Sequence, residues 1–201
     1  INNLNKPIIT TFSFAYNWQQ GSRLKWINNC RFIYNDYDFK YKKYISNLFC
    51  LKEKKIVGKF SFPSYAVYKD KFFLSLKSER LSLLQREYGY FTKPPMNLNF
   101  SKVLSKDGVN YINLENGKSK LLFSLEDCYE LLSEYIPKNA DHVINHLLIS
   151  DDGNKFIFLY RVIFQRGRID FLMKYDFELS KLKLLIKPCL ISHYCWIDNN
   201  S

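Results

Sequence analysis

The sequence predicts an all-β fold of four-stranded antiparallel units, and three observations carry that reading. A short apolar strand closing on a bulky residue, a polar turn and a second apolar strand recur four times, at residues 22–35, 64–76, 145–160 and 192–200. Anchored on Trp26, Val67, Ile149 and Trp196, the copies stand one, two and one periods of roughly 40 residues apart, the repeat length of a β-propeller blade. Between them, short apolar runs are bounded by Asn, Asp and Gly turn residues, as in hairpins. The expected architecture is one partial β-propeller domain over residues 1–201, with about three to four blades at this repeat length and one short connecting helix.

The first blade is expected at residues 23–59, as strands at 23–26, 31–34, 44–51 and 55–59, with turns at Asn28-Asn29 and Glu53-Lys54. The second spans residues 64–124, opening with strands at 65–67 and 72–76 and closing with strands at 110–114 and 120–123; a long insertion, 77–106, separates the pairs. Glu115-Asn116-Gly117 supplies the outer turn, with Gly117 free to take positive φ. At residues 125–135 the period changes: Leu125, Cys128, Leu131, Leu132 and Tyr135 follow helical spacing, and Ser124 with Asp127 suits a helix start. The third blade, residues 143–187, has strands at 143–149, 155–161, 169–176 and 181–186 around the Asp151-Asp152-Gly153 turn. Its second strand is apolar on both faces, as a strand packed between neighbouring sheets should be. Residues 191–201 read as the first strand of a further blade, cut at Ser201.

With 201 residues and 47% hydrophobic content, the chain can bury a sizeable core. No apolar run reaches transmembrane length. The net charge of +11 would attract polyanions, but the lysines are scattered through a Lys- and Asn-rich composition, so nucleic-acid binding has the least support. The densest basic stretch, Lys40 to Lys43, reads as a solvated hairpin loop. Five cysteines without CxxC spacing suit buried, reduced thiols and favour the cytoplasm. Because the chain begins at Ile1, an upstream signal peptide could precede what is seen. Phosphate-loop, GxSxG and HExxH motifs are absent.

In a propeller the innermost strand of each blade lines the axis, so equivalent positions share one channel mouth. Three residues before the four anchors stand Arg23, Ser64, His146 and His193, and His142 lies shortly before His146, in the loop leading into the strand. This register gathers His142, His146, His193 and Arg23 at one opening, a place for an anion or a metal. Arg161, ending the second strand of the third blade, is a candidate carboxylate clamp. Trp18 and Gln20, ahead of the first blade, and Arg80 and Tyr90, in the long insertion, add cations, aromatics and an amide suited to sugar contacts.

The segments NWQQGSRLKW, YAVYKDKFFLSL with RLSLLQREYGY, HVINHLLISDDGNKFIFLYR and SHYCW resemble, over nearly the whole length, bacterial TolB-like or WD40-like propeller proteins related to oligogalacturonate lyases, a group associated with surface polysaccharide loci. The resemblance implies that His146 sits near the proton-abstracting position and that His193 is one ligand of a divalent ion, manganese in the lyases. That metal would neutralise a uronate carboxylate so that a base could drive β-elimination. Two departures stand out: Arg161 replaces what is often a histidine, and the later glutamine and histidine ligands would fall beyond Ser201. The expected function is therefore a carbohydrate-associated propeller that binds, or cleaves, an acidic oligosaccharide. The alternative is a non-catalytic propeller that serves as a scaffold for a protein partner.

Overall fold

The computed structural model describes residues 9–91 and 103–199. Residues 92–102 of the expected insertion, and residues 1–8 and 200–201, lie outside the described residues. Short apolar runs punctuated by tight turns produce three sheets. The first holds β1 (Lys25–Asn28), β2 (Arg31–Asp38), β3 (Lys43–Cys50) and β4 (Lys55–Phe60). The second holds β5 (Ala66–Tyr68), β6 (Phe72–Ser75), β7 (Gly108–Asn113) and β8 (Ser119–Ser124). The third holds β9 (Asp141–Ile149), β10 (Lys155–Phe164), β11 (Gly167–Asp176) and β12 (Lys181–Cys189). Within each sheet the strands pair in chain order, so all three are four-stranded antiparallel meanders, as the sequence predicts.

The described residues contain two α-helices, where the sequence suggested one. The unforeseen helix, α1 (Ser78–Leu84), lies in the segment read as a long insertion and buries Arg80 and Leu81. The foreseen helix, α2 (Leu125–Leu132), continues into a 3-10 turn at Ser133–Tyr135. It starts where the sequence indicates: the Asp127 amide donates to Ser124 Oγ at 3.1 Å, and the Ser124 amide donates to the Asp127 carboxylate at 2.7 Å. That reciprocal box satisfies two amides the first turn would otherwise leave unpaired.

The last expected strand is corrected. Residues 190–199 form no strand. They run beside β9 and its turn into β10 and reach them through side chains: Trp196 Nε1 donates to the Leu148 carbonyl of β9 at 3.0 Å, and Asn199 Oδ1 accepts from the Asp152 amide of the turn at 3.1 Å. A ladder needs paired main-chain groups, and these contacts supply side-chain atoms instead.

Strand alternation explains why the second sheet sits in the middle. Successive side chains point to opposite faces, so Phe73, Ile112 and Leu114 face Ile33, Leu48 and Phe60 of the first sheet. On the other face Phe72, Leu74, Val109 and Phe123 join Phe156, Phe158, Tyr160 and Phe171 of the third sheet, with Leu125, Cys128 and Leu132 of α2 closing the core. Phe123 stacks on Phe158 with ring centroids 5.2 Å apart. The first strands of the sheets meet in order, β1 against β5 and β5 against β9.

The β9–β10 turn is pinned to the middle sheet. Gly153 adopts φ +77°, and a Cβ there would come within 2.4 Å of the Tyr68 ring, whose hydroxyl donates to the Asp152 carbonyl at 2.8 Å. All five cysteines are free; Cys50 and Cys128 are buried as expected, whereas Cys189 and Cys195 are exposed. Among the described residues no helix is long and apolar enough to cross a membrane.

Candidate functional site

The meeting of β1, β5 and β9 creates a polar junction, and a bulge in β9 shapes it. β9 pairs with β10 at Leu148 opposite Ile157 and at Asn145 opposite Leu159, so His146 and Leu147 together face Phe158. The extra residue puts His146 at φ +55°, a conformation that costs an L-residue about 1 kcal/mol or more. Two tyrosines from neighbouring segments hold it. The His146 amide donates to Tyr65 Oη at 2.8 Å, and Tyr194 Oη donates to the His146 carbonyl. Bulges re-aim side chains, and here the imidazole meets the edge of Tyr88, with centroids 4.8 Å apart at 79°.

His146 Nδ1 is buried without a hydrogen-bond partner among the described residues. Burial comes first, and then the charges of Arg161, Arg23 and His193, in holding its pKa down at about 4. The ring is therefore neutral at pH 7 and a weak base there.

Arg161 sits on β10 directly opposite Asp170 on β11. Its Nε lies 3.2 Å from Asp170 Oδ1, and Arg168 Nε approaches the same oxygen to 2.9 Å. Asp170 is fully buried, and its other oxygen accepts the Ile191 amide at 3.1 Å. Arg161 Nη2 donates to the Ile191 carbonyl at 3.4 Å, which leaves Nη1 without a partner. One carboxylate thus faces two guanidinium groups, and positive charge is left over.

Arg23 precedes β1 in a left-handed conformation, φ +53°. Its guanidinium carbon lies 3.5 Å from the Tyr65 ring centroid, a cation–π contact. Nη1 donates to the Tyr65 carbonyl at 3.4 Å, whereas Nη2 is buried and unpartnered. Gln20 accepts the Arg23 amide on its carbonyl at 3.0 Å, and its own Oε1 is also unpartnered. Both side chains, with Lys25, Tyr65 and residues 147–149, line a cleft of about 390 Å³.

The structure thus brings together Arg23, Gln20, His146 and Arg161, with His193 near enough to depress the His146 pKa. His193 itself is exposed, and its Nδ1 is 2.7 Å from Ser192 Oγ. The remaining candidates lie elsewhere. His142 is the second residue of β9, not part of the preceding loop; it is buried, with Nδ1 2.6 Å from Tyr160 Oη. Burial, and then the Arg80 charge, pull its pKa to about 4. Arg80 is only 3% exposed: its Nε pairs with Asp107 at 2.5 Å and its Nη1 donates to the His142 carbonyl at 3.1 Å. It ties α1 to β9 instead of facing solvent. Tyr90 is buried in a second aromatic cluster, its hydroxyl accepting from Asn35 Nδ2 at 2.6 Å. Trp18 is 80% exposed and lies edge-on to Tyr16. Ser64, aligned with His146 by the sequence register, is buried under Asn35 and Ser46, and its neighbour Tyr65 takes the place at the junction.

Sequence reasoning also missed Asp170, Tyr65 and Tyr194, whereas Tyr88 belongs to the cation and aromatic mixture that the sequence marks in the long insertion. The cross-strand pairing of Arg161 with Asp170 is the one signal that could have found a member of this set. The donors present do not suit a divalent metal: His146 is flanked by two guanidinium groups, and no three His, Cys, Asp or Glu side chains cluster for a metal among the described residues. No protein-family model matches the chain, and no curated relative does.

Proposed function

We propose that the three meanders are successive blades of a β-propeller of the TolB-like kind, and that the junction of their first strands binds the carboxylate of an acidic oligosaccharide. Face-to-face packing of consecutive sheets and the meeting of β1, β5 and β9 support the propeller reading. The binding reading is carried by one observation: Arg23 Nη2 and Arg161 Nη1 are both buried without partners beside a neutral imidazole. Buried donors left unpaired are costly, and charged ones more so. A carboxylate presents the acceptors they lack.

Gln20 offers an acceptor for a sugar hydroxyl, and the Tyr65 ring, already under Arg23, narrows the cleft. The reading is one of binding without cleavage. A histidine titrating near pH 4 supplies little base at neutral pH, and its cationic neighbours do not favour a metal ion.

Calorimetric titration with a galacturonate oligomer tests this reading against the matching neutral galactose oligomer. The acidic ligand should bind, and Arg23→Gln should weaken it by about tenfold or more, the scale of a charge-assisted hydrogen bond. Equal affinity for the neutral oligomer, or an unchanged affinity in Arg23→Gln, would remove the proposal.

A further inference from the structure

The segment ahead of β1 builds a second surface that the carbohydrate reading does not use. Over residues 12–18 burial alternates strictly. Ser13, Ala15 and Asn17 turn inward, whereas Phe12, Phe14, Tyr16 and Trp18 turn outward, Phe12 being 85% and Phe14 57% exposed. The segment is firmly held in this orientation. Ser13 Oγ donates to the Asn35 carbonyl at 2.6 Å, the Phe14 amide donates to Asp36 Oδ1 at 2.9 Å, and Asn17 Nδ2 donates to the Gly89 carbonyl at 2.7 Å.

The β2–β3 hairpin extends the same surface. Phe39, 58% exposed, meets Phe14 with centroids 4.9 Å apart, and Tyr41 stands beside it at the tip. Lys40, Lys42 and Lys43 collar this tip, with Lys40 Nζ 5.1 Å from the Tyr41 centroid. Two acids stand near this tip: Asp36, which accepts the Phe14 amide, and Asp38, which pairs with Lys59 at 3.7 Å, accepts the amides of Lys40 and Tyr41, and feels the Lys43 charge. An apolar aromatic patch whose lysines, Lys40, Lys42, Lys43 and Lys59, outnumber Asp36 and Asp38 is complementary to an anionic surface that has an apolar interior.

The ring geometry selects the occupant. Bases and pyranose rings stack on open aromatic faces, but here the rings close on one another edge to face: Phe14 on Phe39 at 85° and Tyr16 on Trp18 at 73°. The product is an outward aromatic row built on two edge-to-face pairs. We propose that this face docks the protein peripherally on an anionic lipid surface, the aromatics entering the headgroup boundary and the lysines pairing with phosphates.

Vesicle co-sedimentation of the full chain tests the proposal, with phosphatidylcholine vesicles made with and without phosphatidylglycerol. Binding should require phosphatidylglycerol and weaken with salt. Lys40→Glu with Lys43→Glu should lower partitioning at least about fivefold per lysine, and Phe14→Ser with Phe39→Ser should abolish it. Lys181→Glu with Lys183→Glu, on the remote β12, should change it far less than the hairpin pair. All substituted side chains reach the surface, and circular dichroism verifies that each variant is folded. Binding indifferent to phosphatidylglycerol, patch variants that partition like the parent, or single-stranded RNA captured in place of vesicles and lost in the same variants would each overturn the proposal. Galacturonate titration of these variants reports separately on the junction site.

Discussion

The hydroxyl of Tyr65 accepts the amide of His146 at 2.8 Å, so the second sheet holds the bulge of the third in its left-handed conformation. Tyr65→Phe removes this acceptor and leaves a half-buried amide unpaired. The expected loss is about 1–2 kcal/mol of stability, read as a lower urea midpoint at unchanged slope. Amide exchange at His146 should accelerate in the same variant; an unchanged exchange rate would show that another group holds the bulge.

Acid should destabilise the fold in a defined window. His142 and His146 are both depressed from 6.5 to about 4, so between these values the unfolded chain binds protons that the folded chain does not. Stability is fully present above the unfolded value and falls as pH drops toward the folded one. Urea midpoints measured across that interval should decline, and His142→Gln should flatten the slope. A flat profile in the parent protein would contradict the buried neutral imidazoles.

Breaking the Arg80–Asp107 pair should be severe. Arg80→Met strands a carboxylate that is 6% exposed, with an expected cost of about 3–5 kcal/mol. Replacing both partners, Arg80→Met with Asp107→Leu, should recover much of that, because no lone charge remains. Chemical denaturation of the two variants distinguishes an ion pair that anchors α1 from one that is incidental.

Gly153→Ala should destabilise by about 1–3 kcal/mol, combining a left-handed alanine with crowding against the Tyr68 ring. Thermal unfolding of Gly153→Ala beside Gly117→Ala separates the two causes. Gly117 has φ +70° but nothing near its missing Cβ, so its alanine variant should lose only the backbone part.

The strands were legible because their signals are local. Phe72 and Phe73 alternate faces, Gly117 and Gly153 sit in tight turns, and Ser124 caps its own helix; each is decided within a few residues. The junction was legible only in outline. Arg23 and His146 share a level because their strands do, but Tyr65 and Tyr194 reach it through side chains that no strand register ranks. The bulge carries no glycine to announce it, and His146 itself takes the strained conformation. Arg80 read as a surface cation because its partner, Asp107, is remote in sequence and the helix that buries it had no strong period. The last segment read as a strand because SHYCW repeats the phrase that opens the earlier sheets, yet the Trp196 indole N–H goes to the Leu148 carbonyl in place of a main-chain ladder.

The chain-order pairing of every strand has a kinetic side. Each meander closes through hairpins between sequence neighbours, with one long connection between β6 and β7. The first and third sheets can thus assemble without waiting for distant partners, whereas the middle sheet begins with strands of three and four residues and must span that connection before its outer hairpin can join. Its ladder is the shortest, and both its faces are covered by others. The entropy of closing that connection predicts that the middle sheet orders last, by docking between the outer two.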